Sequence, residues 1–113
     1  MTSHTRTRIK ICGLTRETDV DAAVAAGADA IGFVLYPHSP RAVTVQRAVE
    51  LTRRLPPFVT PVLLVVNTNA TEVIAACSMI AGATVQFHGD ESPQDCHLAT
   101  QQSRRPWVRA ARI

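Results

Sequence analysis

The sequence predicts an α/β domain in which parallel strands alternate with helices. Three observations indicate this class: five short apolar or β-branched runs, four intervening stretches of helical patterning, and strand starts roughly 22 to 30 residues apart. That spacing leaves room for the helical crossover that joins two parallel strands. No linker or composition shift divides the chain, so we expect one domain, residues 8–113, after a flexible leader, residues 1–7.

The predicted strands are the apolar runs of the sequence. In chain order they are 8–12, 30–35, 59–66, 84–87 and 107–113. In the first run, Arg8, Lys10 and Cys12 share one face by period-two alternation. Ile9 and Ile11 share the other face, which suits packing against helices. The third run is apolar on both faces, so we expect it at the centre of the sheet.

Each predicted helix begins behind a capping residue. The helices are 16–26, 45–54, 70–80 and 93–102. Their candidate N-caps are Thr15, Thr44, Asn69 and Ser92. Glu72 adds a capping-box-like start to the third helix, and Pro93 is a favoured first residue for the fourth. The first three helices are ended by Gly27, by Pro56-Pro57 and by Gly82.

Two architectures share this alternation of strands and helices. One is an open doubly wound sheet, and the other is a (β/α)8 barrel cut short. Periodicity alone does not choose between them. No Gly-x-Gly-x-x-Gly follows the first strand, so the main dinucleotide-binding fingerprint is missing and the barrel is slightly favoured.

Composition excludes several classes of protein. The longest apolar run, 62–66, is far shorter than the roughly 20 residues of a membrane-spanning helix. The polar start lacks the apolar stretch of a secretory signal, so we expect a cytoplasmic protein without a membrane partner. The net charge of +3 is mild and the few aromatic residues do not alternate with a basic run, so nucleic acid is not an expected partner. Three cysteines without a closely spaced pair indicate reduced thiols.

Polar side chains follow the carboxyl ends of the strands, where the active sites of both architectures lie. These segments are 12–15, 36–41, position 67 and 88–91. Lys10 lies one layer beneath Cys12, and a lysine close to a thiol favours the thiolate, a usable base or nucleophile. The alternative is that Cys12 is a small buried apolar residue and Lys10 extends to solvent, and the residues leave these two interpretations nearly level. Asp90 and Glu91 are interpreted as complementing the dipole of the following helix.

Arg41 and His88 also have two interpretations each. Arg41, in a proline-rich loop, suits bidentate binding of a carboxylate, or is a solvated loop residue. His88 suits an acid, a base or a hydrogen-bond donor, or is a satisfied polar residue that closes its strand. Cys77 and Cys96 fall within helices, away from any strand end, and are interpreted as structural. No metal site is expected, because Cys96 and His97 are helical neighbours that point in different directions.

Four segments together resemble a known family. They are KICGLT at 10–15, GADAIGFVLYPHSPR at 27–41, LPPFVTPVLLVVN at 55–67 and VQFHGDES at 85–92. In this order they are similar to the N-terminal half of the phosphoribosylanthranilate isomerase family of tryptophan biosynthesis. The resemblance runs from about residue 8 to the end of the sequence and implies a partial (β/α)8 barrel of about five strands and four helices.

The resemblance also implies a chemistry. The family carries out an Amadori rearrangement, an aldose–ketose type isomerisation of N-(5'-phosphoribosyl)anthranilate to 1-(2-carboxyphenylamino)-1-deoxyribulose 5-phosphate, without cofactor or metal. A general acid opens the sugar ring to a Schiff base, and a general base removes the proton from C2. By the motifs, Cys12 corresponds to that base and Arg41 to the arginine that holds the anthranilate side. His88 corresponds to the family's histidine, and we count it with Lys10 among the substrate-binding residues.

The sequence departs from the family pattern in composition and in length. Ala42 stands where a tyrosine often follows the arginine, and Phe87 stands where a leucine precedes the histidine, which are changes of packing more than of chemistry. The family's general acid, at the end of strand six, and its phosphate loops, near strands seven and eight, lie beyond Ile113. Five strands do not close a barrel of about 250 residues. We therefore expect a truncated chain that is inactive alone.

Two other interpretations stay open. A half-barrel is also a candidate assembly module without catalysis, which pairs with itself or with a complementary half through its unpaired strand edges. Another phosphosugar barrel, such as indole-glycerol-phosphate synthase, fits less well, because its lysine-based chemistry does not use a base in the position of Cys12.

Overall fold

A computed structural model of the protein describes residues 6–111, which form one five-stranded parallel sheet with a helix after each of the first four strands. The strands are β1 Lys10–Cys12, β2 Ala30–Val34, β3 Thr60–Val65, β4 Thr84–Phe87 and β5 Trp107–Arg109. The helices are α1 Glu17–Ala25, α2 Val45–Thr52, α3 Ala70–Met79 and α4 Pro93–Thr100. Residues 1–5 of the predicted leader lie outside the described residues, and the division of the chain at residue 8 stays a prediction.

The strands are hydrogen-bonded in the order in which they follow in the chain, β1-β2-β3-β4-β5. All four neighbouring pairs are parallel. A doubly wound sheet reverses its strand order at a switch point, whereas a (β/α)8 barrel adds each new strand on the same side of the last one. The order therefore decides between the two architectures and confirms the partial barrel, with β3 at its centre as expected.

The two outer strands are shorter than predicted. β1 begins at Lys10 and β5 ends at Arg109, against predicted ranges of 8–12 and 107–113. Residues 112 and 113 lie outside the described residues. An outer strand has a single neighbour, so its ladder extends only as far as that neighbour offers partners, and β1 makes three residue pairs with β2.

Three of the four predicted N-caps are confirmed. Their side chains accept a hydrogen bond from the backbone N–H three residues on, at 3.0, 2.9 and 3.1 Å for Thr44, Asn69 and Ser92. The prediction of Thr15 is wrong, because α1 begins behind Arg16, whose side chain makes no cap bond. The Thr15 carbonyl accepts from Arg47 Nη2 at 3.2 Å, which holds this residue outside the helix.

The core lies between the helices and one face of the sheet. Its strand side chains, at alternate positions, are Ile31, Phe33, Leu63, Val65, Val85 and Phe87. They pack against helix side chains that include Val20, Ala48, Leu51, Val73, Ala76, Cys77, Cys96 and Ala99. Burial of apolar surface stabilises a fold by about 25 cal/mol per Å². This packing fixes the strands, and with them the loops at their carboxyl ends.

The opposite face of the sheet is concave and carries the polar residues of the strands. Lys10 Nζ in β1 donates to Gln86 Oε1 in β4 across this concavity. A cavity of about 560 Å³ opens here, and its lining includes Thr60, Thr84 and Val108. This face has the position of a barrel interior, where inward side chains of all strands meet.

Within residues 6–111, the outer edges of β1 and β5 have no strand partner. Ile9 and Ile11 are 48% and 38% exposed, so the expectation that both pack beneath helices is met only partly. An apolar groove that also includes Leu14 and Ala22 runs beside them, because α1 covers only one side of this strand. At the other edge, Val108 is 51% exposed.

Candidate active site

The carboxyl ends of the strands meet at one edge of the sheet, because all of the strands are parallel. The polar residues at or just after these ends are Cys12, Arg41, Asn67, His88 and Glu91. Of the predicted site residues, Cys12, Arg41 and His88 therefore lie on one rim, at the end of β1 and in the loops after β2 and β4. Their individual contacts decide which of them act together.

Cys12 ends β1 and is half-buried. Its register partner in β2 is Gly32, and a Cβ at Gly32 would lie 2.8 Å from Cys12 Sγ. The missing side chain at Gly32 therefore provides the space that the sulfur occupies on the concave face. A thiol in this position is accessible from the rim and is held by the strand backbone.

The other two cysteines have a different environment. Cys77 in α3 and Cys96 in α4 are both 0% exposed. Burial raises the pKa of both thiols, since the low-dielectric core disfavours the thiolate. All three cysteines are free of disulfides. Cys12 is therefore the thiol best suited to chemistry, and the interpretation of Cys77 and Cys96 as packing residues agrees with their burial.

Arg41 and Cys12 are brought together by the fold. Arg41 Nη1 donates to the Cys12 carbonyl oxygen at 3.1 Å, and the guanidinium lies over Gly13. The loop that carries Arg41 is closed by a hydrogen bond from its own backbone N–H to Ser39 Oγ at 3.1 Å. Arg41 forms no ion pair with a carboxylate of residues 6–111. Its charge remains available to a ligand at the rim.

A second arginine fixes the loop that follows Cys12. Arg47 in α2 donates to the Glu17 carboxylate through both terminal nitrogens, at 2.6 and 2.8 Å, and to the Thr15 carbonyl oxygen at 3.2 Å. The hydrogen bonds from Arg47 hold the pKa of Glu17 at about 2, well below its usual range. This arrangement ties the start of α1 to α2 and thereby limits the movement of the loop between Cys12 and α1.

His88 and Lys10 lie apart from the pair formed by Cys12 and Arg41. The His88 backbone N–H donates to the Val65 carbonyl oxygen at 2.9 Å, and its exposed side chain faces a depression of about 330 Å³. His88 makes no hydrogen bond to Cys12 or Arg41. Lys10 lies two residues before Cys12 on the concave face and is bonded to Gln86 instead of a rim residue. Gln86 was missed as a site residue, although its alternation with His88 places both on one face.

Glu91 was also missed, because its sequence position suggested only a helix-dipole role. It is 7% exposed, and both carboxylate oxygens accept backbone N–H groups. Oε2 accepts from Asn67 at 2.7 Å, and Oε1 accepts from Gly89 at 2.8 Å. Arg109 Nε donates to the Glu91 carbonyl oxygen at 2.7 Å. The loops after β3 and β4 and the end of β5 are therefore joined at this residue.

The cavity of about 560 Å³ does not coincide with this rim. Its lining includes Arg6, Arg8, Asp29 and Phe58, which precede the strands, and it lies toward their amino ends. A barrel interior is a packed core, and its catalytic residues lie at the carboxyl ends, so we assign the site to the rim. Among residues 6–111, no three His, Cys, Asp or Glu side chains are grouped as a metal site requires, and no helix is long and apolar enough to cross a membrane.

A family profile and curated relatives of the same name all match this sequence. The profile of the family described as N-(5'phosphoribosyl)anthranilate (PRA) isomerase matches residues 9–111. An N-(5'-phosphoribosyl)anthranilate isomerase of Methylibium petroleiphilum is 61% identical over 108 residues, which are 96% of this chain and 49% of the relative. The protein of the same name from Leptothrix cholodnii is 60% identical over 111 residues, 98% of this chain and 49% of the relative. The chain thus spans about half the length of the curated relatives it matches.

Comparison with solved structures gives the same fold. The crystal structure of phosphoribosyl anthranilate isomerase from Thermotoga maritima superimposes with a TM-score of 0.89 at 34% identity, covering 96% of this chain and 52% of that one. A phosphoribosyl anthranilate isomerase in complex with reduced 1-(o-carboxyphenylamino)-1-deoxyribulose 5-phosphate gives the same TM-score and identity, covering 96% of this chain and 55% of that one. The half-barrel described above is similar to the corresponding part of both.

Proposed function

Because the chain belongs to the N-(5'-phosphoribosyl)anthranilate isomerase family, we propose that its rim supplies the general-base half of an active site that isomerises N-(5'-phosphoribosyl)anthranilate. The observation that carries the proposal is the half-buried thiol of Cys12 at the carboxyl end of β1, with Arg41 on its carbonyl oxygen. The general acid and the phosphate site that the resemblance implies belong to strands six to eight of a complete barrel. The proposal therefore assigns roles only to residues of this chain.

In the proposed reaction, the thiolate form of Cys12 takes the proton from C2 of the sugar and becomes the thiol. Opening of the furanose ring gives a Schiff base, and loss of the C2 proton to the sulfur gives an enamine that becomes the ketose product. The step needs a base of high basicity that is close to carbon and partly shielded from water. The half-buried position of Cys12 and the strand that holds it support this role. The overall reaction rearranges one molecule without a second reactant, so the proposal includes no cofactor.

Arg41 is proposed to bind the anthranilate carboxylate. Its Nη1 is occupied by the Cys12 carbonyl oxygen, whereas Nε and Nη2 donate to no acceptor among the described residues. These two N–H groups form the fork that binds a carboxylate side-on, as Arg54 binds Asp21 in this protein at 3.1 and 2.5 Å. The hydrogen bond to the Cys12 carbonyl oxygen fixes the distance between this fork and the sulfur. Binding of the carboxylate would thereby orient the sugar toward the base.

His88 and Lys10 are proposed as substrate-binding residues at different depths. The exposed His88 on the rim suits a hydrogen bond to the substrate, and its depression is open to solvent. Lys10 lies deeper, and its hydrogen bond to Gln86 holds its amino group on the concave face beneath Cys12. The partner of the chain is thus an anionic small molecule. Three free cysteines fit a reducing compartment, which supports a cytoplasmic location.

The test uses a fusion of residues 1–111 to the second half of the Methylibium petroleiphilum relative, whose first half is 61% identical to this chain. Cys12→Ala is expected to lower kcat about 10²- to 10⁴-fold, the usual contribution of a general base. Cys77→Ala is the matched control, since it removes a buried thiol and is expected to change stability but not kcat. Equal kcat values for the Cys12→Ala fusion and the unchanged fusion would refute the assignment of the base.

The alternative function, an assembly module, is favoured by a different observation. The edges of β1 and β5 are unpaired within residues 6–111, with Ile11 and Val108 exposed beside them. Such edges pair readily with other strands. A stable dimer of the 113-residue chain in sedimentation, together with no binding of N-(5'-phosphoribosyl)anthranilate, would support assembly over catalysis. That the 113 residues are inactive by themselves stays a prediction, which turnover by the isolated chain would contradict.

A further inference from the structure

Glu91 is a buried carboxylate with no established role in this protein. Among residues 6–111 it is the one buried side chain of an acidic or basic residue, at 7% exposed. Burial of a carboxylate is costly unless hydrogen bonds compensate for the lost water. The two backbone N–H groups of Asn67 and Gly89, at 2.7 and 2.8 Å, supply this compensation. The position of the Glu91 carboxylate therefore depends on these two N–H groups, and the positions of the Asn67 and Gly89 backbone depend on the carboxylate.

Stabilisation of α4 does not account for this burial. The N-cap of α4 is Ser92, whose side chain accepts from the Asp95 N–H at 3.1 Å. The Ser92 N–H in turn donates to the Asp95 carboxylate at 3.1 Å, so the capping box is complete without Glu91. The Glu91 carboxylate instead accepts from backbone N–H groups that follow β3 and β4.

Hydrogen bonds hold the backbone at His88 and directly after it, and the second of these is made to Glu91. The Gly89 N–H, directly after His88, is held by Glu91 Oε1, and the His88 N–H is held by the Val65 carbonyl oxygen at 2.9 Å. Asn67 has a left-handed backbone with φ 49, and its Oδ1 accepts from the Asp90 N–H at 2.9 Å. Two hydrogen bonds thus lock the loops after β3 and β4 to each other, from the Asn67 N–H to Glu91 Oε2 and from the Asp90 N–H to Asn67 Oδ1, and the bond from the Gly89 N–H to Glu91 Oε1 closes the second loop.

We propose that Glu91 is a positioning residue for His88, which it holds at the rim by fixing the backbone on the carboxyl side of that residue. The proposal rests on the proposed function for the role of His88 as a substrate-binding residue. Glu91 does not touch substrate, so its effect passes through the backbone of Gly89. A carboxylate is needed because two N–H donors converge on the side chain. A glutamine would present an NH₂ group to one of these donors.

The first test measures backbone hydrogen exchange in the 113-residue chain. Glu91→Gln is expected to accelerate exchange of the Asn67 and Gly89 amides roughly 10- to 100-fold, the factor that corresponds to a lost hydrogen bond to a charged group. Glu72→Gln, at an exposed acid whose side chain makes no hydrogen bond within residues 6–111, is the matched control and is expected to leave both rates unchanged. Unchanged protection in Glu91→Gln overturns the proposal. An equal acceleration at core amides such as that of Leu63 also overturns it, because the effect would then be general unfolding.

The second test is a double-mutant cycle on kcat/KM in the fusion protein. Glu91→Gln is expected to lower kcat/KM about 10-fold when His88 is present and less than about 2-fold in the His88→Ala background. An equal factor in both backgrounds overturns the positioning role, because Glu91 would then act independently of His88. A fusion in which Cys12→Ala retains full activity refutes the proposed function instead, and the exchange measurement still decides whether Glu91 holds the backbone beside His88.

Discussion

Gly13→Ala provides a direct test of whether the position of Arg41 matters. Gly13 follows Cys12 with φ +85, and a Cβ at this residue would lie 2.3 Å from Arg41 Nη1 and 2.5 Å from its Cζ. Ordinary contacts of a Cβ begin at 3.4 Å, so the guanidinium must move by about 1 Å. The side chain of Arg41 is flexible and exposed, so it can move without disturbing the core. The substitution therefore displaces the carboxylate fork while the thiol stays in place.

Gly13→Ala is expected to have two effects, one on stability and one on activity, which are measured separately. A non-glycine residue at this φ costs about 1–3 kcal/mol of stability. A displacement of about 1 Å at a substrate-positioning group lowers kcat/KM by about 10- to 100-fold. Gly27→Ala is the matched control, because Gly27 has φ +97 and no atom lies within 4 Å of its Cβ. Both variants are expected to lose similar stability, and only Gly13→Ala is expected to lose activity.

The assay combines urea unfolding with steady-state kinetics of the two variants in the fusion protein. Since Arg41 is proposed to bind the carboxylate, we expect most of the loss in Gly13→Ala as an increase in KM. Equal kcat/KM values for Gly13→Ala and Gly27→Ala would refute the reasoning, because the same backbone strain would then have the same effect with and without the contact to Arg41.

The remaining predictions concern stability. Phe33→Ala, at a side chain that is 0% exposed, is expected to lower the free energy of unfolding by about 3–5 kcal/mol. Phe58→Ala, at 101% exposed, should change it by less than about 0.5 kcal/mol, and equal urea midpoints for the two variants would contradict the assigned core. The pKa of Glu17 is lowered from 4.5 to about 2 by Arg47, so its contribution to stability is complete above pH 4.5 and is lost as the pH falls toward 2. Glu17→Gln should therefore flatten the decline of the urea midpoint over this interval, and a parallel decline in both proteins would show that the pair does not contribute.

Much of the fold is predictable from local sequence. The caps at Thr44, Asn69 and Ser92 depend on residues three apart, and their side-chain bonds are present. Periodicity alone did not predict the order of the strands, because an open sheet and a barrel have the same periodicity, and the barrel was indicated by the missing dinucleotide fingerprint and by the family resemblance. Thr15 failed as a cap because its carbonyl is bonded by Arg47, which is 32 residues away in the chain.

The candidate site also has features that the sequence predicts and features that depend on residues distant in the chain. Cys12 ends β1 and Arg41 follows the adjacent strand β2, so the topology alone predicts that they lie on one rim. The burial of Glu91 depends on Asn67, 24 residues earlier, and the contact of Lys10 with Gln86 joins residues 76 apart. Period-two alternation assigns Gln86 a face of the sheet but no partner. Long-range hydrogen bonds of this kind need coordinates.

The central claim is that the Cys12 sulfur removes the proton from C2 of the sugar. The most direct measurement is the release of deuterium to solvent from N-(5'-phosphoribosyl)anthranilate labelled at C2 of the ribose, in a single turnover of the fusion protein. The account predicts that Cys77→Ala releases deuterium at the unchanged rate, whereas release by Cys12→Ala falls about 10²- to 10⁴-fold. Release by Cys12→Ala at the rate of the unchanged fusion would contradict it.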